Sequence, residues 1–252
     1  GYNHQPLTPK GVDYGDEFPT YKTWKDKKAM ASAISELLRF TKELFPKGEK
    51  SIYIPPSNVL SKEGRQVLRE KFPEIKSIAS NYFPGKFTYS QEFEVADDGM
   101  IEQPRIVSGA SWDAYSKLTV FSELNMHYVT THFLHPDDVL DEDRGAKLGW
   151  PKLYKDFQNE IESLYKVVPN IRRLTGSEMA GAVQRYAILT INQNRTDTGL
   201  ELELGNFHNQ AYVMIRLNEG EPGKVKGGKL EHLTGSLYLL EATSAKVSIE
   251  VK

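Results

Sequence analysis

A chain of 252 residues with 39% hydrophobic and 26% charged residues can bury a core and is not disordered. Its net charge of -2, from 32 basic and 34 acidic residues without a Lys/Arg block, argues against nucleic acid as a partner. The absence of cysteine excludes thiol catalysis, thiolate metal sites and disulfides, and no run of about 18 apolar residues offers a membrane span.

Up to about Ile191, helical and strand patterns alternate. "TWKDKKAMASAISELLRFTKELF" opens with Thr23 and Asp26 at capping-box spacing, and Met30, Ile34, Leu37, Leu38 and Leu44 keep helical period. "SIYIPP" reads as a short strand stopped by Pro55 and Pro56. Ser61 is placed to cap "KEGRQVLREKF", and "EIKSIASNYF" and "QPRIVSG" read as the next strands. "LNMHYVTTHF" has the β-branched and aromatic content of a strand. "WPKLYKDFQNEIESLYKVV" is an amphipathic helix with Pro151 at its start. "NIRRLT" reads as a last short strand, and Ser177 as the cap of "EMAGAVQRYAIL".

Beyond Ile191 the pattern changes. "NQNRTDTG" reads as a turn-rich link, followed by "LELELGNF", "QAYVMIRL", "GSLYLLEA" and "AKVSIEVK", short strands of near-alternating polarity. The expectation is an α/β domain over residues 1–191 with a parallel sheet, open or barrel-like, and a small antiparallel β-sandwich over 192–252.

In parallel α/β folds the ligand sits at the carboxyl ends of the strands. "PPSN", "SNYF", "VSGASWD" and "HFLHPDD" all fall there. The last gathers His132, His135, Asp137 and Asp138, which suit acid/base work near neutral pH or ligation of a divalent ion. The same residues also read as a capped loop whose acids stabilise a following helix N-terminus. "YIPPSN" either just ends a strand or fixes a loop through which Tyr53, Ser57 and Asn58 line a pocket. In "SGASWDAY", Trp112 beside Asp113 suits sugar stacking with hydrogen bonding, whereas a buried Trp is the commoner situation. His4 reads from composition as part of a solvated tail, and His208 and His232 as loop or surface residues.

Taken together and in this order, "GYNHQPL", "SIYIPPSNVLSKEG", "KSIASNYF" and "THFLHPDDVLDEDR" resemble an uncharacterised bacterial family related to the NodB-type polysaccharide deacetylases, over roughly residues 1–190. The resemblance implies a partial deacetylase-like (β/α) barrel that is N-terminally incomplete. The aspartate pair and the first histidine of the deacetylase metal motif would lie before Gly1. His4 matches the second metal histidine, and His132, with His135 next, matches the histidine that protonates the leaving amine. "YIPPSN" stands where the deacetylases have an Arg-Pro-Pro-Tyr-like motif, without the arginine and the aromatic. "HPDD" lies outside the deacetylase pattern; Asp137 or Asp138 is the candidate replacement for the absent base. The pocket would be lined by Tyr53, Ser57, Asn58, Tyr82, Trp112 and Asp113.

The implied chemistry is metal-assisted hydrolysis of an N-acetyl group on a polysaccharide, in exopolysaccharide production or modification, outside the cell or in its envelope. The cofactor would be a divalent ion, zinc first, held weakly or not at all by this chain. The missing strands would leave open sheet edges and a route to self-association. Two other readings fit the residues: a metal-independent glycoside hydrolase using Asp138 and Asp113, and an inactive polysaccharide-binding domain using Trp112, Tyr53, Tyr82 and the β-rich tail. No phosphate loop or dinucleotide fingerprint supports a nucleotide-dependent enzyme.

Overall fold

A computed structural model describes residues 5–10, 22–48, 50–79 and 92–252. The chain divides into two compact units, residues 1–180 and 181–252.

In the first unit, α1 (Lys27–Leu44) starts where the Asp26 carboxylate accepts a bond from the Ala29 N–H. Asp26 alone makes the cap, without the reciprocal partner of a capping box. Met30 and Ile34 form the fully buried part of its apolar face. β1 (Ile52–Tyr53) stops at Pro55, and a single 3-10 turn, Pro56–Asn58, leads to α2 (Lys62–Lys71). Ser61 caps α2 by accepting from the Gly64 N–H at 2.9 Å, while its own hydroxyl donates to the Leu7 carbonyl at 2.6 Å. One side chain thus fixes the start of α2 and ties residues 5–10 to it. Gly64 is required by that contact, since a Cβ there would stand 2.3 Å from the Leu7 carbonyl oxygen. Met30, Ile34, Tyr53, Leu68, Phe72 and Ile78 belong to the resulting core.

β2 (Ser77–Ile78) lies parallel to β1, and β4 (Ile101–Glu102) parallel to β2, while β3 (Glu94–Val95) runs antiparallel on the outer edge. The order is β1-β2-β4-β3. A separate parallel pair joins β5 (Val107–Ser108) to β6 (His132–Phe133), with α3 (Ala114–His127) as the connection. α4 (Gly149–Val167) follows, and Val107, Trp112, Val120 and Leu164 form a second core between this pair and the two helices. α5 (Gly176–Ile188) ends the helical part. The class is mixed α/β with parallel and antiparallel sheets, and among the described residues no barrel closes.

Three local expectations are corrected. "LNMHYVTTHF" is mostly not a strand: Asp113 caps α3, which runs to His127, and Tyr128 ends it with φ 59°. Only His132 and Phe133 pair as β6. Residues 170–175, expected as a strand, are irregular. Thr175, not Ser177, opens α5: its hydroxyl accepts from the Glu178 N–H at 3.4 Å, and the Glu178 carboxylate accepts from the Thr175 N–H at 2.7 Å, a capping box.

The second unit holds two antiparallel sheets. One has the order β10 (Pro222–Lys226), β13 (Lys246–Val251), β8 (Gly199–Gly205), β7 (Thr190–Thr196). The other has the order β11 (Gly228–Thr234), β12 (Leu237–Ala242), β9 (Ala211–Arg216). Alternate residues of both, among them Leu202, Leu204, Ile215, Leu240, Val247 and Ile249, enter one apolar cluster. The expected link "NQNRTDTG" is instead most of β7 plus its tight turn into β8.

A partly buried ion network secures the first sheet. Arg65 on α2 grips Asp98 through Nε and Nη2 at 2.7 and 2.8 Å, and reaches Glu102 on β4 at 2.5 Å. The Arg65 hydrogen bond holds the Asp98 carboxyl below its ordinary range, whereas burial pushes Glu102 up against the pull of the same guanidinium. Removing the arginine would strand a buried carboxylate. Arg65→Ala is expected to destabilise the fold by roughly 3–5 kcal/mol in urea unfolding; a loss within the usual surface range of about 0.5 kcal/mol would show that the network carries no such role.

Candidate functional site

The parallel pairing of β5 with β6 sets Val107 opposite His132 and Ser108 opposite Phe133. The chain then leaves β5 through Gly109, whose φ of +84° is a left-handed conformation that glycine adopts without strain. The Gly109 N–H bonds the Phe133 carbonyl at 3.2 Å, and its carbonyl oxygen lies 2.7 Å from His132 Nε2. A carbonyl only accepts, so Nε2 carries the proton and donates. His132 Nδ1 has no hydrogen-bond partner among the described residues and keeps its lone pair in the neutral ring.

Aromatic rings enclose this imidazole. Trp112 meets it edge-on at 5.3 Å, and Phe157 of α4 stacks on it at 5.3 Å with 23° between planes. Burial lowers the His132 pKa, and the Gly109 bond offsets this only in part. Burial therefore favours the neutral ring, which is held at Nε2 by the Gly109 carbonyl. Trp112 is 6% exposed, and its buried Nε1 finds no partner among the described residues.

Phe133, adjacent to His132 on the strand, heads a second cluster. The Arg105 guanidinium lies 4.5 Å above its ring, and His135 meets it edge-on at 5.2 Å. His135 Nδ1 is 3.5 Å from Asp138 Oδ1, and the other Asp138 oxygen accepts from the His135 backbone N–H at 3.3 Å. Arg144 completes the arrangement by pairing with Asp138 at 3.3 Å and with Asp141 at 3.4 Å. Asp138, 5% exposed, is thus the brace that folds the "HPDD" loop. Asp137 is exposed beside it.

The other candidates are placed as follows. Asp113 accepts from the Ser116 N–H at 2.7 Å as the cap of α3, a bond that lowers its pKa. Tyr53 is buried, which raises its hydroxyl pKa. Ser57 and Asn58 follow the carboxyl end of β1, both at positive φ (49° and 61°). His4 and Tyr82 lie outside the described residues. The structure therefore joins His132 to Trp112, and His135 to Asp138, as two neighbouring clusters. Phe157, Gly109, Arg105 and Arg144 were not nominated from sequence. The helical stripe of α4 and the "DEDR" motif were the available signals for Phe157 and Arg144.

Among the described residues no three His, Asp or Glu side chains come together to hold a metal ion. Those residues do not by themselves fit the divalent ion that the resemblance implies. None of their helices is long and apolar enough to cross a membrane.

The family model described as "Uncharacterised protein conserved in bacteria (DUF2194)" matches residues 1–239. The chain belongs to that family. No curated protein and no solved structure matches it. Within this DUF2194 chain, the functional reading therefore rests on the geometry around β5 and β6.

That geometry has a pH signature. The fold favours neutral His132, so its contribution to stability is complete above the ordinary imidazole value of about 6.5. It declines as pH falls through the lower folded value. Urea midpoints should drop on the acid side of about pH 6.5, and His132→Phe, which keeps a ring but cannot titrate, should flatten that part of the curve. Identical pH slopes in the two proteins would contradict it.

Proposed function

We propose that this chain is a deacetylase-like, carbohydrate-active hydrolase domain that removes N-acetyl groups from an amino-sugar polysaccharide, with His132 as its proton-transfer group. It would act outside the cell or in the envelope, in exopolysaccharide production or modification. The strands of its first unit would then be part of a deacetylase-like (β/α) barrel, and the second unit an accessory β-sandwich. The observation that carries the reading is His132 on β6, bonded through Nε2 to the Gly109 carbonyl, with burial favouring its neutral form and no partner for Nδ1 among the described residues.

Such an imidazole begins as an acceptor. As a water oxygen bonds to the acyl carbon, its proton passes to His132 Nδ1. As the C–N bond breaks, Nδ1 returns that proton to the amine nitrogen, leaving acetate and a free amino sugar. The Gly109 carbonyl supports the transient imidazolium by accepting its Nε2–H. The divalent ion that the resemblance implies would draw on His4 and would polarise the acyl carbonyl. The paired-carboxylate alternative gains no support, because Asp113 caps a helix and Asp138 is bound to Arg144 and the His135 backbone.

The test is acetate release from an N-acetylglucosamine polymer, with zinc added, by the native chain and His132→Gln. The variant is expected to lose about 100-fold or more, and native activity to fall at acid pH as Nδ1 becomes occupied. Reducing ends in place of acetate, or a fully active variant, would overturn the reading.

A further inference from the structure

Residues 134–148 lead from the carboxyl end of β6 to the N-terminus of α4. Trp150, in the first turn of α4, is 59% exposed and Tyr154 is 47% exposed. Their ring centroids are 5.4 Å apart with 34° between planes. Trp150, Tyr154 and Phe157 stand at i, i+4 and i+7, so they share one stripe of the helix. The inner end of that stripe is the ring stacked on His132. Gln158, one turn on from Tyr154, is a half-buried polar residue on the same side of the helix. Exposed aromatics are costly to keep wet, and this pair is not scattered: it is continuous with the candidate site.

We propose that Trp150 and Tyr154 form an outer sugar subsite, on which one pyranose ring of a polysaccharide stacks while a unit more than one residue further along the polymer presents its acetamide to His132. The inference rests on the glycan reading above. A pyranose has an apolar face of axial C–H groups and a rim of hydroxyls. Two exposed rings, tilted relative to one another, with the polar residue Gln158 one turn on, match both features. The subsite determines which polymer lengths are accepted: a ligand too short to span from α4 to His132 gains nothing from it.

The probes are β-1,4-linked N-acetylglucosamine oligomers of two and six units, titrated by calorimetry into the native chain, Trp150→Ala, Tyr154→Ala, Trp150→Phe and His132→Gln. Both positions are exposed, so the alanine variants should fold; circular dichroism checks this. The native chain should bind the hexamer at least about tenfold more tightly than the dimer, and each alanine variant should lose about tenfold on the hexamer only. Trp150→Phe should retain most of the binding, and His132→Gln should bind normally without releasing acetate. Normal hexamer binding by the alanine variants would overturn the subsite, and so would no binding by the native chain. Self-association abolished by Trp150→Ala, with no effect on sugar binding, would overturn it too and assign the face to a second copy. Lost hexamer binding in the alanine variants, with no acetate released by the native chain, would leave the subsite standing and remove the deacetylase reading.

Discussion

The hydrogen bond from His132 Nε2 to the Gly109 carbonyl is the constraint on which the candidate site depends. It exists because β5 and β6 pair in parallel with Val107 opposite His132, and because Gly109 takes a positive φ just past that pairing. The bond fixes the tautomer, and the tautomer decides which nitrogen is available for chemistry. α3 and α4 then supply the walls: Trp112 precedes the cap of α3, and Phe157 comes from the inner stripe of α4. Burial by these rings lowers the affinity of the imidazole for a proton, so the same packing that steadies it also prepares it as an acceptor.

The carboxylates nearby divide differently from what their grouping in sequence suggests. Asp138 is buried and shared between Arg144 and the His135 segment, so it holds the loop shape. Asp113 holds the first turn of α3. Asp137 stays exposed, as does Asp113. Acidic residues after a strand satisfy backbone N–H groups and neighbouring cations first, and Asp113 after β5 and Asp138 after β6 both follow that pattern.

Much of the fold was legible where periodicity was clean. The alternation in "LELELGNF" and "AKVSIEVK" places Leu202, Leu204, Val247 and Ile249 inward, as found. β7 was hidden because all seven of its residues are exposed, leaving no alternation to read. β10 was hidden by its Pro and Gly content. α3 was obscured because it is apolar on both sides, with Val120 buried and Leu118 and Met126 exposed, and because the β-branched run after it invited a longer strand. In the first unit each strand is only two residues long, too short for any period to show.

The site was legible by position more than by partner. His132 was picked as the strand-end histidine, but nothing local announced that Gly109, 23 residues earlier, would hold it. Exposure was also beyond reach: Tyr53 and Trp112 are buried, so neither offers a ring face to solvent, while Trp150 and Tyr154 do. The most direct test of the account is 15N NMR of the His132 imidazole as a function of pH. A neutral ring at pH 7, protonated at Nε2 and not at Nδ1, with a midpoint below the ordinary value of about 6.5, is expected. A ring protonated at Nδ1, or one that stays cationic above that value, would contradict it.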